Sequence, residues 1–409
     1  MTDTLTTWGG WASAVRDDPF GHFAKARARC PVQRVRLADG HLAWVVLGYD
    51  AARQALNDPR ISKDMLAALQ DNGDVVAGGL PGPTFSRHML NVDPPDHTRL
   101  RRLLTPEFTM RRLQRLRPGV EEIIGRQLDE IASAAAAGGP VDLVPTFAFP
   151  IPFLVICDLL GLPDEKRETF SQLATARFDV TGGGAGTVGA IGGSREFLLA
   201  EAARQRTNPG PGLIGQIIRE HGDEISDFEL GGLADGVFTG GLETSASMLA
   251  LGTAVLLERR ELWNRLIADP TTAGPVVDEL LRLLSVVQVA FPRFAKQDVE
   301  VGGHHIAQGS IVLCSLPAAN RDPRSTSGDE MDLARANGSH LAFGHGFHRC
   351  IGAELARMEL KMAFPAIAAR FPEMRLAVPR EELDYRALSI VYGVEAVPVH
   401  VGADGRAVG

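Results

Sequence analysis

The run Phe343-Gly344-His345-Gly346-Phe347-His348-Arg349-Cys350-Ile351-Gly352 concentrates the residue types best suited to chemistry in this chain. It sets one cysteine between glycines, just before the helix-compatible stretch Ala353 to Leu360. A sulfur presented at a helix start lies near unpaired backbone N–H groups and the positive end of the helix dipole, which favour thiolate over thiol. Gly344, Gly346 and Gly352 let the backbone turn tightly and approach a flat partner. A buried structural cysteine is the commonest fate of a free thiol. His345, His348 and Cys350 also have the types of zinc ligands, but zinc needs a fourth ligand and the nearby sequence offers none. Neither reading uses Phe343 or the three glycines. An iron porphyrin uses both, and a thiolate ligand pushes electron density towards O–O cleavage.

A second constellation lies upstream. Ser226 and Glu229 form a capping box that opens a helix-compatible stretch reaching about Arg259. At 1.5 Å per residue that stretch is roughly 50 Å long, enough to cross a domain. Its middle, Phe238 to Leu251, is apolar or small on nearly every side, as in a buried helix. There sit Gly240, Gly241, Glu243 and Thr244. Adjacent glycines cost helix stability and mark kinks. Close helix packing explains the glycines but not a charge in a dry helix, which needs a partner or a function. Two further pairs stand out: His97 and Arg101 at i and i+4, able to hold a carboxylate, and Glu279 and Arg282 at i and i+3.

These groups need elements to position them. Residues 32–37 and 42–47 alternate as a hairpin around Asp39-Gly40. Helical periodicity follows at Asp50–Asn57, and Asp71 to Pro83 reads as a loop. Asp96 or Asp93 is placed to cap the helix carrying His97. Helices are expected from Leu113 to Ala137 and over Phe170 to Phe178. The glycine-rich run 181–193 contains a literal G-x-G-x-x-G, but no strand precedes it, so it is expected to be a mobile connection between helices. Asp298–Gly303 and Ile311–Cys314 read as short strands around a glycine turn.

The chain has 409 residues, 45% hydrophobic, ample for a large core. A net charge of −8 argues against nucleic acid as a general partner. Cys30, Cys157, Cys314 and Cys350 lack paired spacing, which suits a reducing compartment. Met1-Thr2-Asp3-Thr4 begins neither a basic region nor an apolar run, so no signal peptide is expected. The apolar segment Leu143 to Cys157 is too short to span a bilayer and is broken by three prolines.

In order along the chain, these motifs resemble those of the cytochromes P-450. Phe343 to Gly352 is similar to their haem signature F-G-x-G-x-H-x-C-x-G at every defining position, and 240–244 to their A-G-x-(D/E)-T kink with Gly240 in place of alanine. Glu279 and Arg282 match E-x-x-R, with Arg335 as third, structural member, and Ala318 to Pro323 resembles a further landmark. The resemblance runs from about residue 20 to about 400. It implies the mainly-α cytochrome P-450 fold, an α-helical prism with a long central helix and a minor β region. A single domain over 1–409 is expected, β-rich at about 30–60, with a helical haem-binding core at about 95–290 and 340–375.

It further implies haem b, non-covalent because no C-x-x-C-H is present. Cys350 would be the axial iron ligand, framed by Phe343, Gly344 and Gly352. The propionates would meet His97, Arg101, Arg293 and His348. Thr244 would hold the oxygen and Glu243 would belong to the proton route, at the Gly240–Gly241 kink. The substrate pocket would take Val75, Val76, Leu80, Phe85, Met89, Val237, Val286, Val287, Val289, Ala290, Phe291, Ile390 and Val391. The activity implied is a monooxygenase that hydroxylates or epoxidises a hydrophobic small molecule such as a polyketide, macrolide, terpenoid or steroid. It would use O2 and electrons from NAD(P)H, brought by a ferredoxin and its reductase, since the chain shows no flavin or iron–sulfur domain. Seven arginines between Arg99 and Arg117 form a basic patch able to steer such an acidic partner, with Arg102 and Arg112 expected to be exposed; a solvated helix face is the plainer reading. A peroxide-driven peroxygenase, disfavoured by the Glu243–Thr244 pair, and a non-catalytic haem sensor are the alternatives. A cytoplasmic monomer without membrane or nucleic-acid partners is expected.

Overall fold

The computed structural model describes residues 6–7, 19–37, 40–64, 89–178, 184–335, 339–386 and 391–402; Val75, Val76, Leu80, Phe85 and Ile390 lie outside them. In chain order the principal helices are α1 Pro19–Arg29, α2 Tyr49–Asn57, α3 Asp96–Leu104, α4 Met110–Ala136, α5 Pro150–Leu160, α6 Asp164–Phe178 and α7 Gly184–Thr207. There follow α8 Leu213–His221, α9 Asp227–Glu258, α10 Arg260–Ala268, α11 Ala273–Leu284, α12 Leu316–Asn320 and α13 Ala353–Arg370. The strands are β1 Thr6–Thr7, β2 Val32–Arg36, β3 Leu42–Val46, β4 Ile61–Ser62, β5 Val141–Asp142, β6 Arg293–Ala295, β7 Val299–Val301, β8 His304–Ile306, β9 Ile311–Cys314, β10 Arg375–Leu376 and β11 Pro398–His400.

Two compact units share the chain, one built from Met1–His97 and Asp278–Ile351, the other from Thr98–Val277 and Gly352–Gly409. The first unit holds the six-stranded sheet, ordered β1-β2-β3-β9-β6-β4. The expected hairpin is there: β2 and β3 pair antiparallel from Val32↔Val46 to Arg36↔Leu42. Alternation then decides the faces. Val32 and Val46 join Ala52, Leu56, Val312, Leu316 and Leu341 in one core cluster, while Val35, Ala43 and Val45 join Phe23 and Leu313 in another. One expectation is corrected. The glycine turn at Gly302–Gly303, both at positive φ, joins β7 to β8, whereas Ile311–Cys314 runs parallel to β3.

Glu279 and Arg282 face each other in the buried interior of this unit, where the i,i+3 spacing gains a bidentate ion pair (2.9 and 2.8 Å). Arg335 adds a 2.8 Å contact to the same carboxylate, and the Asp332 N–H donates to it at 2.9 Å. Arg282 also donates to the carbonyls of Asn320 and Gly328. Asn320, fully buried, donates to Ser285 Oγ and accepts from the N–H of Leu341 at 2.6 Å. The chain entering the cysteine loop is thereby tied to α11 and α12.

The second unit is almost entirely helical, with β5, β11 and β10 in a small antiparallel sheet. The long helix α9 opens on the expected capping box, Ser226 Oγ accepting from the Glu229 N–H at 3.2 Å. Among the described residues α9 is the helix long and apolar enough to cross a membrane, yet 72% of its most apolar window is buried inside the protein. It packs on α5, α7 and α13, and Gly252 permits the last contact: a Cβ there would stand 2.5 Å from the Phe364 ring. The glycine run expected to be a loop is helical from Gly184 onward, inside α7. Packing of α7 on α6 and α9 outweighs the low helix propensity of glycine.

Burial alone would raise the Glu279 carboxyl, but Arg282, the Asp332 amide and Arg335 outweigh it and hold the group below its ordinary range. Its stabilising charge is therefore complete above the unfolded value and lost as pH falls through the folded one. Glu279→Gln is expected to lower the unfolding free energy near neutral pH by about 3–5 kcal/mol, because it strands Arg282. In urea titrations the gap to wild type should shrink below about pH 4.

Candidate haem and oxygen site

The expected site residues divide between the units. Cys350, His97, Arg293, His348, Phe343 and Gly344 belong to the first; Arg101, Gly240, Gly241, Glu243, Thr244 and Gly352 to the second.

In the first unit the cysteine loop closes on itself. The Cys350 N–H donates to the Phe343 carbonyl at 2.8 Å, and the Gly344 N–H to that of Leu341 at 2.8 Å. Gly344 and Gly346 hold φ of 69° and 72°, left-handed values that side chains resist. Gly346 is required twice over, since a Cβ there would come within 2.7 Å of the Leu56 carbonyl on α2. Cys350 is exposed, whereas Cys157 and Cys314 are buried and burial pushes their thiols up to about 12 and 11. Those two are inert. The loop leads into α13, which begins at Ala353 with Gly352 as its N-cap.

His97 is 2% exposed and its ring centroid lies 4.1 Å from that of His348, so two of the expected basic groups stand together. Of the two residues expected to cap this helix, Asp93 turns its carboxylate to Ser62 Oγ, the Lys63 N–H and Lys296. The backbone N–H of His97 donates to the Asp93 carbonyl. Arg293, on β6, is 4% exposed, and its Nε has no hydrogen-bond partner among the described residues. A buried guanidinium with an idle donor calls for an anion. Of the expected pocket residues in this unit, Met89 is buried, Ala290 belongs to a core cluster that Val287 packs against, Val286 is buried, and Val289 packs on the other cluster. Phe291 is exposed.

In the second unit α9 stays helical through Gly240 and Gly241. The Thr244 hydroxyl donates to the Gly240 carbonyl at 2.8 Å, a back-bond of the type that bends helices. Glu243, largely buried, accepts from Arg386 Nη1 at 3.2 Å. Arg386 comes from the C-terminal chain, where its N–H donates to the Gly393 carbonyl. One turn earlier, Arg177 of α6 joins Asp235 (2.7 Å) and Thr239 (2.6 Å) of α9 to Ser194 of α7 (2.7 Å). Val237 lies half-buried on the same helix, and Val391 is buried. Arg101 is half-buried on α3; Arg102, Arg111 and Arg115 are exposed, while Arg112, expected to be exposed, is half-buried and ion-paired to Glu107 at 3.0 Å.

Sequence reasoning missed Asn320 and Arg386. The landmark around Ala318 to Pro323 pointed to the first without a role. Nothing near Arg386 distinguishes it from a surface arginine.

The profile of the cytochrome P-450 family matches residues 271–373. Cytochrome P-450 165B3 of Amycolatopsis orientalis is 36% identical over 385 residues, 93% of this chain and 96% of its own. Nocardicin C N-oxygenase of Nocardia uniformis subsp. tsuyamanensis is 37% identical over 403 residues, 98% and 100%. The solved structure of StaH, a cytochrome P-450 from glycopeptide antibiotic biosynthesis, superposes with a TM-score of 0.82 at 38% identity, covering 92% and 96%. The chain belongs to the cytochrome P-450 family, as a haem-binding monooxygenase of the bacterial kind. The residues present fit that cofactor: an exposed sulfur in a glycine-turned loop, and a buried guanidinium short of an anion.

Gly346→Ala is expected to cost about 1–3 kcal/mol, from strain at positive φ together with the clash at Leu56. Thermal unfolding of the pair measures it, and an unchanged midpoint would show that the loop shifts freely off α2.

Proposed function

We propose that the chain hydroxylates or epoxidises a hydrophobic secondary metabolite, with Cys350 as the residue whose sulfur would hold the iron of a non-covalent haem b. The observation that carries this reading is the exposed Cys350 in a loop turned by two left-handed glycines, one of which, Gly346, sits against α2. Phe343, Gly344 and Gly352 frame that loop, and His97, Arg101, Arg293 and His348 are the residues that would hold the propionates. Bound haem supplies the activation of O2 and the insertion of one oxygen atom into substrate. The protein's own residues supply the protons and the positioning.

Thr244 Oγ1 would orient a water against the oxygen substrate, and that water would pass it a proton. The back-bond to Gly240 fixes the rotamer of that hydroxyl, and its oxygen keeps lone pairs for a water. Glu243 Oε1, steadied by Arg386, relays protons from solvent. Electrons originate in NAD(P)H and arrive through a ferredoxin and its reductase, guided by the exposed Arg102, Arg111 and Arg115. One relative is named for nocardicin C and one solved structure for glycopeptide antibiotic biosynthesis, which supports a secondary metabolite as substrate, with a polyketide, macrolide, terpenoid or steroid as the class proposed. The enzyme works in the cytoplasm as a monomer.

The test is a reconstitution with ferredoxin, ferredoxin reductase and NADPH under isotopically labelled O2. Label should enter product, and product without NADPH but with peroxide would favour a peroxygenase. Proton transfer by a placed group is worth about 10²–10⁴-fold. Thr244→Ala should therefore still consume NADPH but release peroxide in place of most product. A fully coupled Thr244→Ala enzyme would assign the proton to another route.

A further inference from the structure

Lys63 follows β4, which pairs antiparallel with β6 through Ile61↔Ala295 and Ser62↔Phe294. Continued by one residue, that register sets Lys63 opposite Arg293. Residues directly opposite in such a ladder hold their Cβ atoms about 4.5–5.5 Å apart, and like charges there repel. Both side chains are buried, Lys63 at 7% and Arg293 at 4% exposure. Two buried cations side by side are costly unless something anionic joins them.

The described residues offer these two cations one carboxylate, and a third cation shares it. Asp93 is the carboxylate acting on both, yet it is already engaged by Ser62 Oγ, the Lys63 backbone N–H and Lys296. Cys314 lies beside Arg293 with its thiol pushed up to about 11, so it is neutral. The Lys63 ammonium stands 4.8 Å over the Phe291 ring, which offers a cation–π contact but no charge. Arg293 Nε has no partner among the described residues.

We propose that Lys63 and Arg293 form a two-cation clamp for a carboxylate. This rests on the haem reading above, and the favoured carboxylate is a haem propionate, because Arg293 is the residue assigned to it. A substrate carboxylate is the other source, since Phe291 borders the clamp on its exposed side. Burial and then Arg293 push the Lys63 ammonium down to about 7, against the pull of Asp93. A bound carboxylate would restore its charge.

The experiment uses the purified holoenzyme as wild type, Lys63→Met and Lys63→Arg. Haem transfer to excess apomyoglobin is followed by absorbance, and laurate and methyl laurate are titrated by haem spin state. Loss of one charge-assisted contact should speed haem transfer from Lys63→Met about tenfold, with Lys63→Arg within about twofold of wild type. That result assigns the propionate. Haem transfer at the wild-type rate, with loss of a preference for laurate over its ester, assigns a substrate carboxylate. Wild-type behaviour of Lys63→Met in both assays, or equal loss in Lys63→Arg, overturns the clamp. A wild-type protein that holds no haem at all would instead defeat the haem reading.

Discussion

One buried carboxylate organises the half of the molecule that carries the cysteine. Glu279 receives Arg282, Arg335 and the Asp332 amide, and Arg282 passes the restraint to the carbonyl of Asn320. Asn320 then fixes Leu341, two residues before Phe343. An ion pair of this kind adds little net stability, because desolvation consumes most of the Coulomb gain. Its value is directional. A guanidinium with no exposure and a five-donor fork has few alternative arrangements, so the chain leaving it has few as well.

The loop itself depends on what side chains it lacks. Gly346 touches the end of α2 so closely that a methyl group would strike a backbone carbonyl, and that contact seats the turn before Cys350. In the other unit, Gly252 lets α9 meet Phe364 of α13. Polar contacts then punctuate the apolar α9: Arg177 bridges Asp235, Thr239 and Ser194, and Arg386 answers Glu243. The charge that looked out of place in a dry helix thus has a counter-charge.

Whatever depends on short-range spacing could be read from the sequence. The Ser226–Glu229 box, the Glu279–Arg282 pair, the β2–β3 hairpin and the glycine-framed cysteine each lie within one element or one turn, where periodicity fixes geometry. Long-range pairings could not be read. Arg386 meets Glu243 across 143 residues of sequence, and no local pattern encodes that distance. The strand after Gly303 was misplaced because short apolar runs do not reveal their partners. The helical glycines of α7 show tertiary packing overriding propensity, the usual way such a reading fails.

The central claim is that Cys350 binds the haem iron as thiolate, and the absorption spectrum of the reduced, CO-bound protein tests it most directly. The wild type should show the red-shifted Soret band diagnostic of thiolate ligation. Cys350→Ser, prepared and reduced in the same way, should lose that band whether or not it retains haem. A red-shifted band that survives in Cys350→Ser would contradict the assignment, because another residue would then have to supply the sulfur.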